Sequence, residues 1–289
     1  MSQHFLQFMS IASLGARMLV KRVRMALIVA PVSVLSGWKK EADNYLSKFV
    51  KHVRIVKVHG GKQKDRQKTI RNAWKDSSPD RPYVIISSWG LVAGSNTTKT
   101  FLPPRKHCWD YFILDEVHEI KNHKSNRFKC CYQICRKAEG RLLLTGTPFQ
   151  NNITELWSIA HMATVGKVFG KLKEFNKEYG KPIQDGRCRN ASNYALKQGE
   201  QANKRFREKL RPYLLRRLKP DFLSHELPAK QETCVWVKPS AQQALMYKET
   251  VQASGFLAKN MMSTDKALAK KAEWSAFQVM RKLQNLCCH

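Results

Sequence analysis

The sequence predicts an α/β fold: a doubly wound parallel sheet followed by a basic helical protrusion. Three observations predict it. Five short apolar runs alternate with helical patterns across residues 1–166, the signature of strands alternating with crossover helices. One run, Tyr111 to Leu114, ends in the adjacent carboxylates Asp115 and Glu116, and open α/β sheets carry their chemistry at the carboxyl ends of strands. Charge then changes: residues 167–230 hold 17 Lys or Arg against 7 Asp or Glu, in mainly helical patterns.

Residues 2–20 read as a helix, with Phe5, Phe8, Met9 and Ala12 at roughly helical spacing. Ala26 to Ala30 is a buried strand stopped by Pro31. A loop then enters a helix carrying Trp38, Ala42 and Tyr45; Trp38 reads as core rather than as a base-stacking platform, because aromatics mostly pack. Val53 to Val58 alternates apolar and polar, a half-exposed strand. The Gly60-Gly61-Lys62 after it is not a phosphate loop, because Gln63 stands where Ser or Thr belongs. Lys62 to Lys75 is a charged helix with Ile70, Ala73 and Trp74 inward, broken by Ser77-Ser78-Pro79-Asp80.

Tyr83 to Ser87 is the third strand, and Gly94 to Arg105 a polar, basic loop. Tyr111 to Leu114 is continuously apolar, as a strand covered on both faces should be. Residues 125–138 read as a helix whose Cys131 and Cys135 pack inward. Leu142 to Leu144 is the last strand, followed by Thr145-Gly146-Thr147-Pro148. Ile153 to Thr164 is a helix with Leu156, Ile159, Ala160 and Ala163 on its core face.

Three regions follow: an α/β lobe over 1–166, a basic helical region over 167–230, and a strand plus helices over 231–289. In the protrusion, helices over 171–180 and 192–218 are separated by a Pro-Ile-Gln-Asp-Gly turn. In the last region, Thr233 to Lys238 is a strand and Ala241 to Phe256 a helix.

Composition restricts the partners. With 52 Lys and Arg against 22 Asp and Glu, the chain carries +30, an excess that favours a polyanion, nucleic acid first. No run of 18 apolar residues is present, so a membrane-spanning helix is not expected. The apolar patch at the start has its basic residues after it, opposite to a secretory signal. Eight cysteines form no C-x-x-C pair, and Cys287-Cys288-His289 lacks a second pair for zinc; free thiols are expected.

Adjacent acids at a strand end make chemical sense if one holds a metal and the other activates water. Asp115 would anchor Mg²⁺, through its water shell because that ion dehydrates reluctantly. Glu116 would orient and polarise the water. The segments Asp115-Glu116-Val117-His118 and Leu143 to Asn152 (LLTGTPFQNN) together resemble the Walker B box and third motif of the helicase-like superfamily-two ATPases, more narrowly the Swi/Snf-type duplex DNA translocases.

That resemblance implies a RecA-like first lobe of the P-loop NTPase type, using ATP and Mg²⁺, nuclear, with double-stranded DNA and possible nucleosome contact. His118 would link the Walker B box to Thr145, Gly146, Thr147 and Gln150. Ala26 to Glu41 is similar to motif Ia, and Ser87-Ser88-Trp89-Gly90 to motif Ib. Ser33, Ser36, Lys39, Ser87 and Ser88 would then touch phosphates. Arg211 to Arg217 resembles the family's RPFxLRR segment, which implies DNA contacts for Arg216 and Arg217. The run KEFNKEYGKPIQDGR resembles the Cockayne-syndrome-B and excision-repair-cross-complementing-like branch.

Against the family pattern, these residues contain no phosphate loop of the D-x-M-G-L-G-K-T kind, and residues 1–14 resemble the helix that follows it. The resemblance therefore implies a truncated lobe-one fragment, without the second lobe and its arginines, and negligible ATP hydrolysis by this polypeptide alone. The rival expectation is a catalytically inactive basic module that binds DNA or a partner ATPase.

Overall fold

A computed structural model of the chain describes residues 10–16, 18, 23–94, 100–102, 109–146, 153–188, 190–215, 233–261 and 266–288. They fall into two compact units, 1–225 and 226–289.

The first unit is built on five parallel strands in the order β2-β3-β1-β4-β5. They are β1 (Met25–Ala30), β2 (Arg54–Val58), β3 (Tyr83–Ser88), β4 (Trp109–Leu114) and β5 (Ala138–Leu143). Helices cover both faces. Because side chains alternate along a strand, Met25, Leu27 and Val29 of β1 enter one core and Ala26, Ile28 and Ala30 the other. The first core also takes α2 (Gln63–Asp76), α3 (Trp89–Val92) and α4 (Asn126–Lys137). The second takes α1 (Leu35–Phe49), through Leu35, Trp38, Ala42 and Leu46, and the helical residues 10–16, through Ile11 and Leu14. Each such large side chain, fully buried, contributes about 1.5–3 kcal/mol.

Registers at the sheet centre are pinned by polar contacts. The Asp110 carboxylate accepts from the backbone N–H groups of Arg24 (2.7 Å) and Met25 (2.8 Å), fixing the entry of β1 against β4. The last strand begins four residues earlier than expected, because α4 stops at Lys137 and β5 starts at Ala138. Glu139, Gly140 and Arg141 hide the strand's beginning in the sequence. Gly140 lies against the ring of Tyr111, where a Cβ would approach Cδ2 to 2.4 Å. Arg141 bonds the carbonyls of Cys135, Ala138 and Ala163, joining both flanking helices to the strand.

Helix α5 (Ile153–Thr164) has the expected bounds but not the expected single core face. Ala160 and Trp157 are buried, while Leu156, Ile159 and Ala163 are only partly so. The reason is that α5 is covered on two sides. Met162 and Ile159 meet the sheet core, whereas Trp157, Ala160 and Leu156 meet a further aromatic cluster. That cluster unites Phe169, Phe175, Tyr179 and Phe206, with the Lys209 ammonium 5.8 Å from two ring centres, within cation–π range.

The basic region is helical: α6 (Leu172–Phe175), a π-turn (Asn176–Gly180), α7 (Lys181–Gly186) and α8 (Asn193–Leu210). The Pro-Ile-Gln-Asp-Gly segment is therefore not a turn. Pro182 occupies the first turn of α7, where its missing N–H costs nothing. Gly186 is a packing residue: a Cβ there would lie 2.9 Å from the Ala195 carbonyl and 3.1 Å from Gly199 Cα of α8. Helix α8 ends at Leu210, eight residues before the expected boundary, as the chain tightens into a 3₁₀ turn at Arg211–Tyr213 containing Pro212.

The second unit contains α9 (Ala241–Met261) and α10 (Lys266–Cys288), joined at one end by the Gln243 side-chain amide donating to the Leu286 carbonyl at 3.0 Å. The segment Thr233 to Lys238, expected as a strand, pairs with no strand among the described residues, and Val235, Trp236 and Val237 are exposed. A strand requires a neighbour for its N–H and C=O groups. Among the described residues no helix is long and apolar enough to cross a membrane.

Candidate active site

The site grows from the carboxyl end of β4. The ladder continues one residue past Leu114, because Asp115 N–H donates to the Val29 carbonyl at 2.8 Å. On the other side Leu144 N–H donates to Leu114 (2.8 Å), and Val117 N–H to Leu144 (2.9 Å). Asp115 is thus wedged between the ends of β1 and β5 and is only 2% exposed.

Its carboxylate is held from two directions. Oδ2 accepts from Trp38 Nε1 at 2.8 Å, and Oδ1 from the backbone N–H of Glu116 at 2.9 Å. The Asp115 carbonyl accepts from Trp89 Nε1 at 3.0 Å. Trp38 is fully buried, as its reading as core expects. Its polar role and that of Trp89 are additional. The one sequence signal for it is general: a buried indole N–H usually finds an acceptor.

Glu116 diverges from its neighbour. Its backbone is left-handed (φ 53°, ψ 57°), a conformation costing a non-glycine residue roughly 1–2 kcal/mol. The turn leaves its side chain 24% exposed, with Oε2 3.1 Å from His118 Nδ1. Glu116 is therefore the acid that water reaches, and Asp115 the acid that the protein encloses. Backbone strain of this kind clusters at functional sites.

Asp115 is one candidate ligand and not a complete metal site. Both its oxygens already accept protein donors, and among the described residues no group of three or more His, Cys, Asp or Glu could hold an ion. Each oxygen keeps a second lone pair, so contact with Mg²⁺ through its water shell is compatible with these bonds.

The backbone bond from Val117 to Leu144 brings the turn carrying His118 beside the start of the threonine segment. Thr145 is half-buried and Gly146 exposed; Thr147 and Gln150 lie outside the described residues.

The expected phosphate contacts divide. Ser33 and Ser36 are exposed at the start of α1, which has no side-chain cap. Ser36 Oγ accepts from Lys57 Nζ at 3.3 Å, placing an unanticipated cation beside it. Lys39 pairs with Asp43 at 2.6 Å and stays 40% exposed. Ser87 and Ser88 are buried instead. The Ser87 hydroxyl donates to the Val58 carbonyl (3.1 Å), and Ser88 Oγ meets His59 Nδ1 (3.3 Å). Ser87 is held inside because the ladder continues to the end of β3. Arg216 and Arg217 lie outside the described residues.

Comparison with known proteins agrees with this architecture. The SNF2-related domain family matches residues 8–289. Helicase swr1 of Schizosaccharomyces pombe is 34% identical over 275 residues, covering 91% of this chain and 19% of the relative. Helicase SWR1 of Saccharomyces cerevisiae is 31% identical over 272 residues, covering 91% of this chain and 16% of the relative. The chain thus spans about a fifth or less of these curated relatives. The solved SWI2/SNF2 ATPase core of Sulfolobus solfataricus in complex with dsDNA is similar with a TM-score of 0.54 and 26% identity, over 96% of this chain and half of that one. That likeness supports the RecA-like lobe. The SWR1 relatives do not support the Cockayne-syndrome-B-like branch; the short run that suggested it forms α6, the π-turn and α7, and its aromatic and apolar residues serve local packing. The chain belongs to the SNF2-related family of helicase-like ATPase domains.

Proposed function

We propose that this chain is the first-lobe portion of an ATP-dependent double-stranded DNA translocase acting in chromatin remodelling or DNA repair in the nucleus. The observation that carries the reading is the divergence of Asp115 and Glu116 at the end of β4. One carboxylate is anchored by Trp38 and the Glu116 amide, and the other faces water beside His118. SWR1 kinship favours remodelling, and the dsDNA complex of the similar ATPase core favours duplex DNA as partner.

In this reading Glu116 orients a water and accepts its proton, with His118 fixing the carboxylate through Oε2. Asp115 positions Glu116 by holding its backbone N–H. ATP, when bound, supplies the scissile γ-phosphoryl bond. Family membership implies nucleotide use, with Mg²⁺ as its companion ion, which Asp115 would hold through its water shell. His118 and Thr145 link this acid to the third motif, with Thr147 and Gln150 continuing it. Ser33, Ser36, Lys39 and Lys57 form the DNA-facing group, joined by Arg216 and Arg217. The basic region over 167–230 lies beside the duplex or nucleosome, and residues 231–289 lead toward a second lobe.

A DNA-binding module without hydrolysis is the second reading, favoured by the +30 net charge. The discriminating experiment joins the chain to a family phosphate loop and second lobe, and measures duplex-stimulated phosphate release. The first reading expects release that Glu116→Gln abolishes while duplex binding persists. No release from the unsubstituted, folded assembly would overturn it.

A further inference from the structure

Trp38 and Trp89 come from separate parts of the chain and meet at one residue. Trp38 sits in the first turn of α1, two residues after Ser36 and one before Lys39. Trp89 opens α3 immediately after Ser88. Both are at most 4% exposed. Their indole nitrogens bond Asp115 at two atoms, Oδ2 from Trp38 and the backbone carbonyl from Trp89. An indole N–H is a donor only, so each makes one directed bond. The arrangement is not general for tryptophans here: Trp74 and Trp157 are buried with no partner for Nε1, and Trp109 bonds the Phe101 carbonyl.

We propose that Trp38 is a positioning residue that ties the DNA-facing start of α1 to Asp115, while Trp89 anchors the Asp115 backbone from the buried end of β3, so that a duplex backbone at the start of α1 registers at the Walker B carboxylate. The inference rests on the proposed function for the DNA site and adds the route from it. Ser33 and Ser36 are exposed beside Lys57, whereas Asp115 is closed to solvent; a phosphate backbone can touch the first group and not the second. Between them stands one turn of helix and a 2.8 Å bond. A displacement of the helix start must lengthen that bond or move the carboxylate with it. Asp115 in turn holds the Glu116 N–H at 2.9 Å, so the movement reaches the residue proposed to activate water. Binding linkage is reciprocal: a change at Asp115 must alter duplex affinity although Asp115 is enclosed.

The test uses the full chain with ¹⁵N-labelled tryptophan, its seven indoles followed by NMR during titration with a duplex oligonucleotide while anisotropy reports binding. Trp38→Phe assigns the Trp38 signal; if that variant does not fold, a paramagnetic tag on Ser36→Cys, with the exposed Cys188, Cys234 and Cys287 changed to Ser, assigns it by broadening. The expected result is that the Trp38 signal shifts along the anisotropy curve while Trp109 stays fixed. Asp115→Asn, if folded, shifts the Trp38 signal without DNA and changes duplex affinity by about fivefold or more. Duplex binding with an unmoved Trp38 signal overturns the coupling and leaves the proposed function standing. Absence of duplex binding by the folded chain overturns both.

Discussion

Gly140 permits a quantitative test of how β4 is held. A Cβ at position 140 would stand 2.4 and 2.5 Å from Tyr111 Cδ2 and Cε2, and 3.3 Å from the Asp110 carbonyl. Carbon atoms in contact prefer about 3.5–4.0 Å, so Gly140→Ala forces a shift of roughly 1 Å. Tyr111 is only 7% exposed and sits in the core beneath α1, so its ring has little room to yield. Overpacking of this kind costs about 1–3 kcal/mol. Removing a strand glycine returns about 0.5–1 kcal/mol. The net expectation is a loss of about 1–2 kcal/mol, read from urea unfolding followed by circular dichroism. For a domain of this size the melting midpoint should fall by about 2–8 °C. In a Tyr111→Ala background the same glycine change should become neutral or stabilising, because the clashing ring is gone. A Gly140→Ala protein as stable as the parent, or an equal penalty in both backgrounds, would refute the steric argument. Four residues beyond Tyr111 on the same strand lies Asp115, so the same variant should also weaken whatever Asp115 supports.

Three further outcomes are expected. Glu116→Gly should be more stable than Glu116→Ala by about 1 kcal/mol in urea unfolding, since only glycine enters the left-handed region without strain; equal stabilities would contradict the strained turn. Burial raises the Cys135 thiol to about 12 and pushes Cys131 well up, so native-state alkylation at pH 8 should label the exposed Cys188, Cys234 and Cys287 and spare both, as mass spectrometry can show. Asp76 is held below its ordinary 3.8, first by the Tyr83 hydroxyl and then by Arg81. Its contribution to stability is therefore present above that pH and lost as pH falls through the lowered value; Asp76→Asn should flatten the acid limb of stability below about pH 4.

The sequence made the sheet legible where burial dominates. The strands through Leu27, Ile85 and Phe112 are short apolar runs bounded by turn residues, and nothing else competes for that pattern. It failed where one residue serves an unusual contact. Gly140 and Arg141 break the apolar signal of β5, yet the glycine accepts a tyrosine ring and the arginine joins two helices. Pro182 and Gly186 look like a turn, but a helix tolerates proline at its start, and the glycine lets α7 approach α8. At the site, Asp115 and Glu116 were visible as a pair. Their opposite environments were not, because the left-handed turn and the bond from Trp38, 77 residues away in sequence, arise only on folding. Ser87 and Ser88 were misleading for the same reason: a hydroxyl at a strand end looks available until the ladder encloses it.

The most direct test of the central claim is the affinity of the full chain for unrelated duplexes of equal length, measured by anisotropy across a salt series. Backbone recognition by Lys39, Lys57 and the start of α1 predicts equal affinities and a log–log slope of about −2 or steeper, as two or more phosphates release their counterions. A flat salt dependence, or strong preference for one sequence, would contradict the assignment of this lobe to duplex translocation.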